Sequence, residues 1–254
     1  MRITYVIPGP ISRTPLGSAE VQRRGECLRK WAGSGTEVSI ADVPTGPASI
    51  ESAYEEYLSI PAAAEAMTRA EAAGEDAAIL GCFGDPGIDA MRELTTRMVV
   101  VAPGAAGCHL AAMCGESFGI VTVTQSIVNP LKHLVQTMGL GSKLAGISVV
   151  ETPVLELASD YKRTLDRMAE AGAYLINQRG ADSLVLGCMT MAFLDATGEL
   201  EERLGVPVVN PAKAALKVAE ALVGCGLRHS KLAYPLPPKL AARKVENLAG
   251  LMLS

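Results

Sequence analysis

Apolar residues along this chain fall into short, nearly unbroken runs separated by longer stretches in which they recur every three or four positions. The runs cover 3–7, 36–40, 77–80, 98–102, 118–124, 146–150, 183–186 and 206–209. Each is bounded by Gly, Pro or polar residues, the mark of a strand buried on both faces. The stretches between them predict helices. Over 17–32, the residues Val21, Gly25, Leu28 and Trp31 or Ala32 share one face, and over 160–178 so do Leu165, Met168, Gly172, Leu175 and Ile176. Two helices are predicted over 50–58 and 61–73, with Pro61 at a first helical position and Gly74 as the stop. Another opens at Asp85-Pro86, an N-cap acceptor followed by proline, and runs to Leu94. Further helices are predicted over 105–114, after Asn129-Pro130, over 212–223 and, beyond a Pro-rich turn at 234–238, over 239–253.

Strand and helix alternate throughout, which argues for α/β architecture with parallel sheets. The pattern also repeats. The phrase Asp76-Ala-Ala-Ile-Leu-Gly-Cys82 returns 106 residues later as Asp182-Ser-Leu-Val-Leu-Gly-Cys188. A helical stretch follows each copy, then a strand that ends at a proline, Pro103 or Pro211. Similarity at a fixed offset predicts a duplicated fold. The expected result is two pseudo-symmetric lobes, each a roughly four-stranded parallel sheet flanked by helices, with the active site in the cleft between them. Residues 1–102 and 213–254 are assigned to the first lobe and 103–212 to the second. Both cysteines then stand just past the carboxyl end of a strand, where open parallel sheets bind ligands.

Composition narrows the possibilities. The chain has 254 residues, 49% of them apolar and 20% charged, with a net charge of −4 and no basic stripe. Aromatic residues are scarce, so neither nucleic-acid binding nor base stacking is expected. No apolar run reaches membrane-spanning length, and the N-terminal run is too short for a signal-peptide core. The six cysteines show no Cys-x-x-Cys pair, and the three histidines (109, 133 and 229) have no metal-type spacing. No metal, cofactor or nucleotide is expected, since Gly81-Cys-Phe-Gly84 lacks the dinucleotide fingerprint. The expected partners are a small-molecule substrate and further copies of the chain, in a cytoplasmic setting with reduced thiols.

Two thiols facing one cleft suit proton removal from a carbon beside a carbonyl, with a base on one face and an acid on the other. A thiol titrates nearer neutrality than a carboxylic acid or lysine. The helix start expected at Asp85-Pro86 would favour a thiolate at Cys82 and an enolate oxygen beside it, with Gly84 and Gly87 allowing close approach. A single strand-end cysteine is more often core, and Cys27, Cys108, Cys114 and Cys225 are read that way. The duplication is what separates Cys82 and Cys188 from them. Hydroxyls of Ser12, Thr14, Thr122 and Thr124 are placed to meet substrate, or equally to serve turns and caps. Lys213, at the position equivalent to Ala105, reads as a solvated or anion-holding lysine.

These residues resemble those of the aspartate/glutamate/hydantoin racemase superfamily, most closely its hydantoin and allantoin racemases. The resemblance is carried by Glu51-Ser-Ala-Tyr-Glu-Glu-Tyr57, Cys82-Phe-Gly-Asp-Pro-Gly-Ile-Asp-Ala90, Pro153-Val-Leu-Glu-Leu157, Leu186-Gly-Cys-Met189 and Gly226-Leu-Arg-His-Ser-Lys-Leu-Ala-Tyr-Pro235. It implies cofactor-independent racemisation by Cys82 and Cys188. It also implies substrate contacts from Phe83, Gly84 and Met189, which follow the cysteines, and from the strand end 122–124. Two places depart from the family pattern: Pro8-Gly-Pro-Ile-Ser12 replaces an Asn-Pro-Asn-Thr type of loop, and Met189-Thr190-Met191 replaces Ala-Gly-Met. The leading expectation is a racemase of 5-substituted hydantoins or related cyclic ureides. The competing ones are a maleate-type cis–trans isomerase with one nucleophilic cysteine, an open-chain Asp/Glu racemase, and a two-lobed binding protein without chemistry.

Overall fold

The computed structural model describes residues 1–242 and 248–252. The first sheet is built from β1 (Arg2–Ile7), β2 (Glu37–Asp42), β3 (Ala77–Leu80) and β4 (Val99–Val101), in the order β2-β1-β3-β4. The second uses β5 (Phe118–Thr122), β6 (Leu144–Val149), β7 (Ser183–Leu186) and β8 (Val208–Val209), in the order β6-β5-β7-β8. Every pairing is parallel, and the two orders are the same with the strands renumbered. This is a two-lobed α/β fold with two four-stranded parallel sheets flanked by helices.

Alternation explains why the strands read as continuous apolar runs. In the first sheet Ile3, Tyr5, Ile7, Ile79 and Val101 face one core, while Val6, Ala78, Leu80 and Val100 face another. The second of these cores is covered by α2 (Ala53–Ala72) and α3 (Ile88–Leu94), through Ala63, Met67 and Met91. The first continues without a break into the second sheet, through Phe118, Ile120, Val185 and Leu186. Successive side chains of a strand point to opposite faces, so a sheet covered on both sides needs an apolar residue at every position.

The chain changes sheets twice. α4 (Pro103–Cys114) leaves β4 of the first sheet and packs on β7 of the second. α9 (Pro211–Gly224) leaves β8 of the second and packs on β3 and β4 of the first. The two helices also lie against each other, with Gly107 set so closely against Val185 and Pro211 that a side chain there would collide.

Three local expectations give way. The helices predicted on either side of Pro61 are one, α2, with the proline inside it. Proline removes one helical hydrogen bond, from the Tyr57 carbonyl, but Tyr57 is 72% exposed and Pro61 is exposed too, so water can satisfy that carbonyl. The helix starts at 53 rather than 50 because of a capping box. Ser52 Oγ accepts from the Glu55 N–H, and the Glu55 carboxylate accepts from Ser52 Oγ and from the Glu51 N–H. Asp85-Pro86 does not open α3, which starts three residues later behind Gly87 in the left-handed region. Asp85, itself left-handed at φ 51°, turns its carboxylate to another helix. It accepts from the Gly104 and Ala105 N–H groups at 2.9 and 2.8 Å and so caps α4. The last predicted helix, 239–253, appears as short helices at Pro238–Ala241 and Leu248–Met252, the first ending in a turn at Ala242, and positions 243–247 and 253 lie outside the described residues.

Candidate active site

The carboxyl ends of β3 and β7 meet in one cleft. Cys82 and Cys188 both line it, within a volume of about 730 Å³ that includes the open mouth. Phe83, Gly84 and Met189 line it as well. At Gly84 a side chain would run into the Glu56 carboxylate, so the backbone there approaches Glu56 only because the residue is glycine, with the Cys82 sulfur in ordinary contact alongside. Apolar walls come from both lobes, among them Ile11, Leu16, Ile50, Val123, Leu131 and Leu155.

Several expected contacts lie elsewhere. Ser12 does not line the cleft: its hydroxyl and N–H both donate to the Asp42 carboxylate. Thr14 donates to the Ile11 carbonyl, closing a turn. Thr122 is fully buried and donates to the Gly187 carbonyl at 3.0 Å, which fixes the strand end just before Cys188. Thr124 pairs with Ser126 at 2.9 Å, outside the cleft lining. Lys213 is exposed, and its N–H is capped by Asn210. Of the histidines, His109 meets the Ala105 carbonyl, and His229 accepts from the Val100 N–H at 2.8 Å. Burial and nearby Arg92 and Lys231 hold the His229 imidazole down at about 4, so it is a neutral structural acceptor. Among the described residues no group of three or more His, Cys, Asp or Glu side chains could hold a metal ion. None of their helices is long and apolar enough to cross a membrane.

The sequence assigned no role to Arg24, Glu20, Glu56 or Tyr5, and Thr190 stood out only as part of a departure from the family pattern. Arg24, on α1 (Gly17–Trp31), lines the cleft yet is only 2% exposed. Its Nε donates to Glu20 at 2.7 Å, its Nη2 donates to Thr190 Oγ1 at 3.0 Å, and its guanidinium lies 5.0 Å from the Phe193 ring centroid. Glu20 also holds Arg23, which reaches the Phe193 carbonyl. Burial pushes the Glu20 carboxyl up, but the two arginines outweigh it and keep it below the usual range. Thr190 lies two residues past Cys188, on α7 (Met189–Phe193). Glu56 lines the cleft beside Cys82, and burial raises its carboxyl. Tyr5 is fully buried, its hydroxyl has no hydrogen-bond partner among the described residues, and the charges of Arg24, Cys82 and Cys188 all act on it. In sequence, Glu20 and Arg24 are an ordinary i,i+4 helix pair, and only the tertiary fold shows that they are buried.

The thiols differ in their surroundings. Burial raises both. At Cys82 the Gly84 N–H opposes that rise, while Glu56, Asp85 and Cys188 add to it. At Cys188 the Met191 and Thr190 N–H groups, Arg24 and the Thr190 hydroxyl all oppose it. The cleft mouth is bridged between lobes by Glu51, whose carboxylate accepts from the Val154 N–H at 2.9 Å and whose carbonyl accepts from Ser126 Oγ.

Comparison with known proteins fits this geometry. Residues 17–219 match the family model described as Asp/Glu/Hydantoin racemase. A hydantoin racemase from Pseudomonas sp. (strain NS671) is 37% identical over 210 residues, covering 82% of this chain and 83% of the relative. Another, from Paenarthrobacter aurescens, is 34% identical over 232 residues, covering 91% and 94%. Among solved structures, the allantoin racemase from Klebsiella pneumoniae superposes with a TM-score of 0.85 at 28% identity, covering 94% of each chain.

Proposed function

The chain belongs to the Asp/Glu/hydantoin racemase family and is a racemase, and from that premise we propose that it inverts C5 of a hydantoin with an apolar 5-substituent. The observation that carries this reading is the convergence of Cys82 and Cys188, from duplicated strand ends, on one apolar cleft. One sulfur takes the C5 proton as thiolate. The C–H electron pair passes into the ring as an enolate, and the other sulfur delivers its proton to the opposite face. General acid–base catalysis of this kind contributes about 10²–10⁴-fold per group. The reaction needs only these two thiols and no cofactor.

The lining favours a neutral ring over an open-chain amino acid. Among the described residues Arg24 is the one cationic side chain that lines the cleft, and it is committed to Glu20 and Thr190. A substrate carboxylate would enter against Glu56 with no free cation to meet it. The aliphatic walls instead suit an alkyl or aryl 5-substituent, through apolar burial worth about 25 cal/mol per Å².

Cys82→Ser and Cys188→Ser test the mechanism without cofactor. Each variant loses racemisation by about 10²–10⁴-fold. In D₂O each still exchanges the C5 hydrogen of one enantiomer only, and the two variants choose opposite enantiomers. Undiminished racemisation by both variants would exclude the two-thiol mechanism. Polarimetry on alkyl hydantoins, aryl hydantoins, allantoin and free amino acids tests the substrate, and turnover confined to the amino acids would reverse the assignment.

A further inference from the structure

We propose that Arg24 is a positioning residue that makes Cys188 the more readily ionised of the two thiols, and so the base that opens the turnover, with Cys82 resting as the protonated acid. The inference rests on the two-thiol reading above and adds an order to it.

The geometry is asymmetric where the backbone is not. Two equivalent strand ends present two equivalent cysteines, but a buried guanidinium accompanies only one of them. Arg24 reaches Cys188 from the other lobe through Thr190 Oγ1, and its second edge is fixed by Glu20 at 2.7 Å. Glu20 and Phe193 hold the guanidinium in a single orientation, and the low-dielectric surroundings make its charge count for more than it would in water. The Arg24–Glu20 pair is formally neutral, yet it is a dipole. Its positive end faces Thr190 and Cys188, and its negative end is shared with Arg23 on the far side. Cys82 meets the opposite field, from the Glu56 and Asp85 carboxyls. Tyr5 is the remaining ionisable group near both sulfurs, and its burial keeps it a neutral phenol.

The forward turnover then has a fixed sense. Cys188 Sγ removes the C5 proton and Cys82 Sγ–H supplies the new one. The turnover ends with the proton on Cys188 and the charge on Cys82, beside two carboxyl groups. Proton exchange with solvent water restores the starting state.

The test is competitive alkylation of the whole enzyme with limiting iodoacetamide, read peptide by peptide by mass spectrometry, since only a thiolate reacts. Cys188 is 9% exposed and Cys82 is more open, so accessibility alone would make Cys82 react first. The proposal requires the reverse, with Cys188 faster by roughly tenfold, the change in thiolate fraction given by one pKa unit. In Arg24→Met the Cys188 rate falls by a similar factor and its pH midpoint moves up, while Cys82 is unchanged. Arg24→Lys retains part of the preference because it keeps the charge but not the fork. Arg24→Met leaves the buried Glu20 held by Arg23 but without one of its two guanidinium partners, so Glu20→Gln/Arg24→Met and Thr190→Val are measured alongside it. Thr190→Val cuts the link to Cys188 and keeps the ion pair. Faster alkylation of Cys82 in the native enzyme, or an unchanged ratio in Arg24→Met, Glu20→Gln/Arg24→Met and Thr190→Val alike, overturns the assignment. The serine variants of the two cysteines separate the two levels of failure. If they lose racemisation while Cys82 alkylates first, only the role of Arg24 falls. If they racemise normally, the two-thiol reading itself falls.

Discussion

The Cys82 and Cys188 strand ends are the two halves of one duplicated plan, and comparing them separates what the fold fixes from what individual side chains add. Each half must tie the loop after its cysteine to the helix that follows the next strand. In the first lobe Asp85, in the loop, reaches forward to the Gly104 and Ala105 N–H groups of α4. In the second, Asn210 caps α9 itself by accepting from the Ala212 and Lys213 N–H groups. Its Nδ2 then reaches back to the Ala192 carbonyl of α7 at 2.8 Å. The tie is the same, but it is made by a carboxylate in one lobe and an amide in the other. Charge follows the same division: Glu56 and Asp85 stand near Cys82, Arg24 near Cys188. The backbone places two thiols symmetrically, and the ionisable neighbours make them unequal.

The largest expected effect comes from cutting these ties. Asp85→Ala leaves two N–H groups of α4 without an acceptor, one of them buried, and Asn210→Ala does the same to α9 while also freeing the Ala192 carbonyl. A lost cap costs about 1 kcal/mol, and each buried group left unsatisfied about 1–3. Each variant therefore loses about 2–3 kcal/mol of stability in urea unfolding, with a lower midpoint and an unchanged slope. If only one of them is destabilised, the two ties are not equivalent and the symmetry is one of backbone alone.

A somewhat smaller effect distinguishes the two caps by pH. Burial holds the Asp85 carboxyl up at about 7, although the two N–H groups and Arg92 pull it down. Its folded pKa thus lies above its unfolded value, so the folded state binds the extra proton. The stability this gives is complete below about pH 4 and is lost as pH rises through 7. Asn210 does not titrate. Between pH 5.5 and 7.5 the native protein therefore loses on the order of 2 kcal/mol relative to Asp85→Asn, while Asn210→Gln, which keeps Asp85, runs parallel to the native protein. Parallel stability–pH curves for native protein and Asp85→Asn would mean that the carboxyl ionises freely in the fold.

How much of this was legible in the sequence depends on how local the cause is. The strands were: those inside each sheet are buried on both faces and demand unbroken apolar runs, the edge strands β2 and β6 are only partly buried yet still apolar enough to read, and the duplicated Gly-Cys pointed to both strand ends. Asp85-Pro86 carries a genuine capping signal, but the helix it caps is α4, nineteen residues on, a choice made by the left-handed turn at 85–87. Pro61 reads as a helix start and lies mid-helix, because its cost falls on a carbonyl facing water. Thr122 reads as a substrate hydroxyl and instead pins Gly187. Arg24 could not have been found from the chain alone. Its i,i+4 spacing from Glu20 looks like any solvated pair, and its meaning comes from Thr190 and Phe193, more than 160 residues away.

The smallest effect bears directly on the inequality of the thiols. Glu56 lines the cleft next to Cys82 and carries no hydrogen bond to it, so its influence is that of a nearby negative charge. Glu56→Gln keeps the shape and removes the charge. Once the pH is high enough to ionise Glu56 in the native enzyme, Cys82 should alkylate about two- to fivefold faster in the variant, as a shift of a few tenths of a pKa unit gives. Cys188, shielded by Arg24, should change less. The gap between the thiols then narrows from the Cys82 side, just as Arg24→Met narrows it from the Cys188 side. Two independent changes moving one ratio towards unity would locate the asymmetry in the side chains flanking the cleft. If Glu56→Gln sped up both thiols alike, the carboxylate would be acting on the cleft as a whole, and the asymmetry would rest on Arg24 alone.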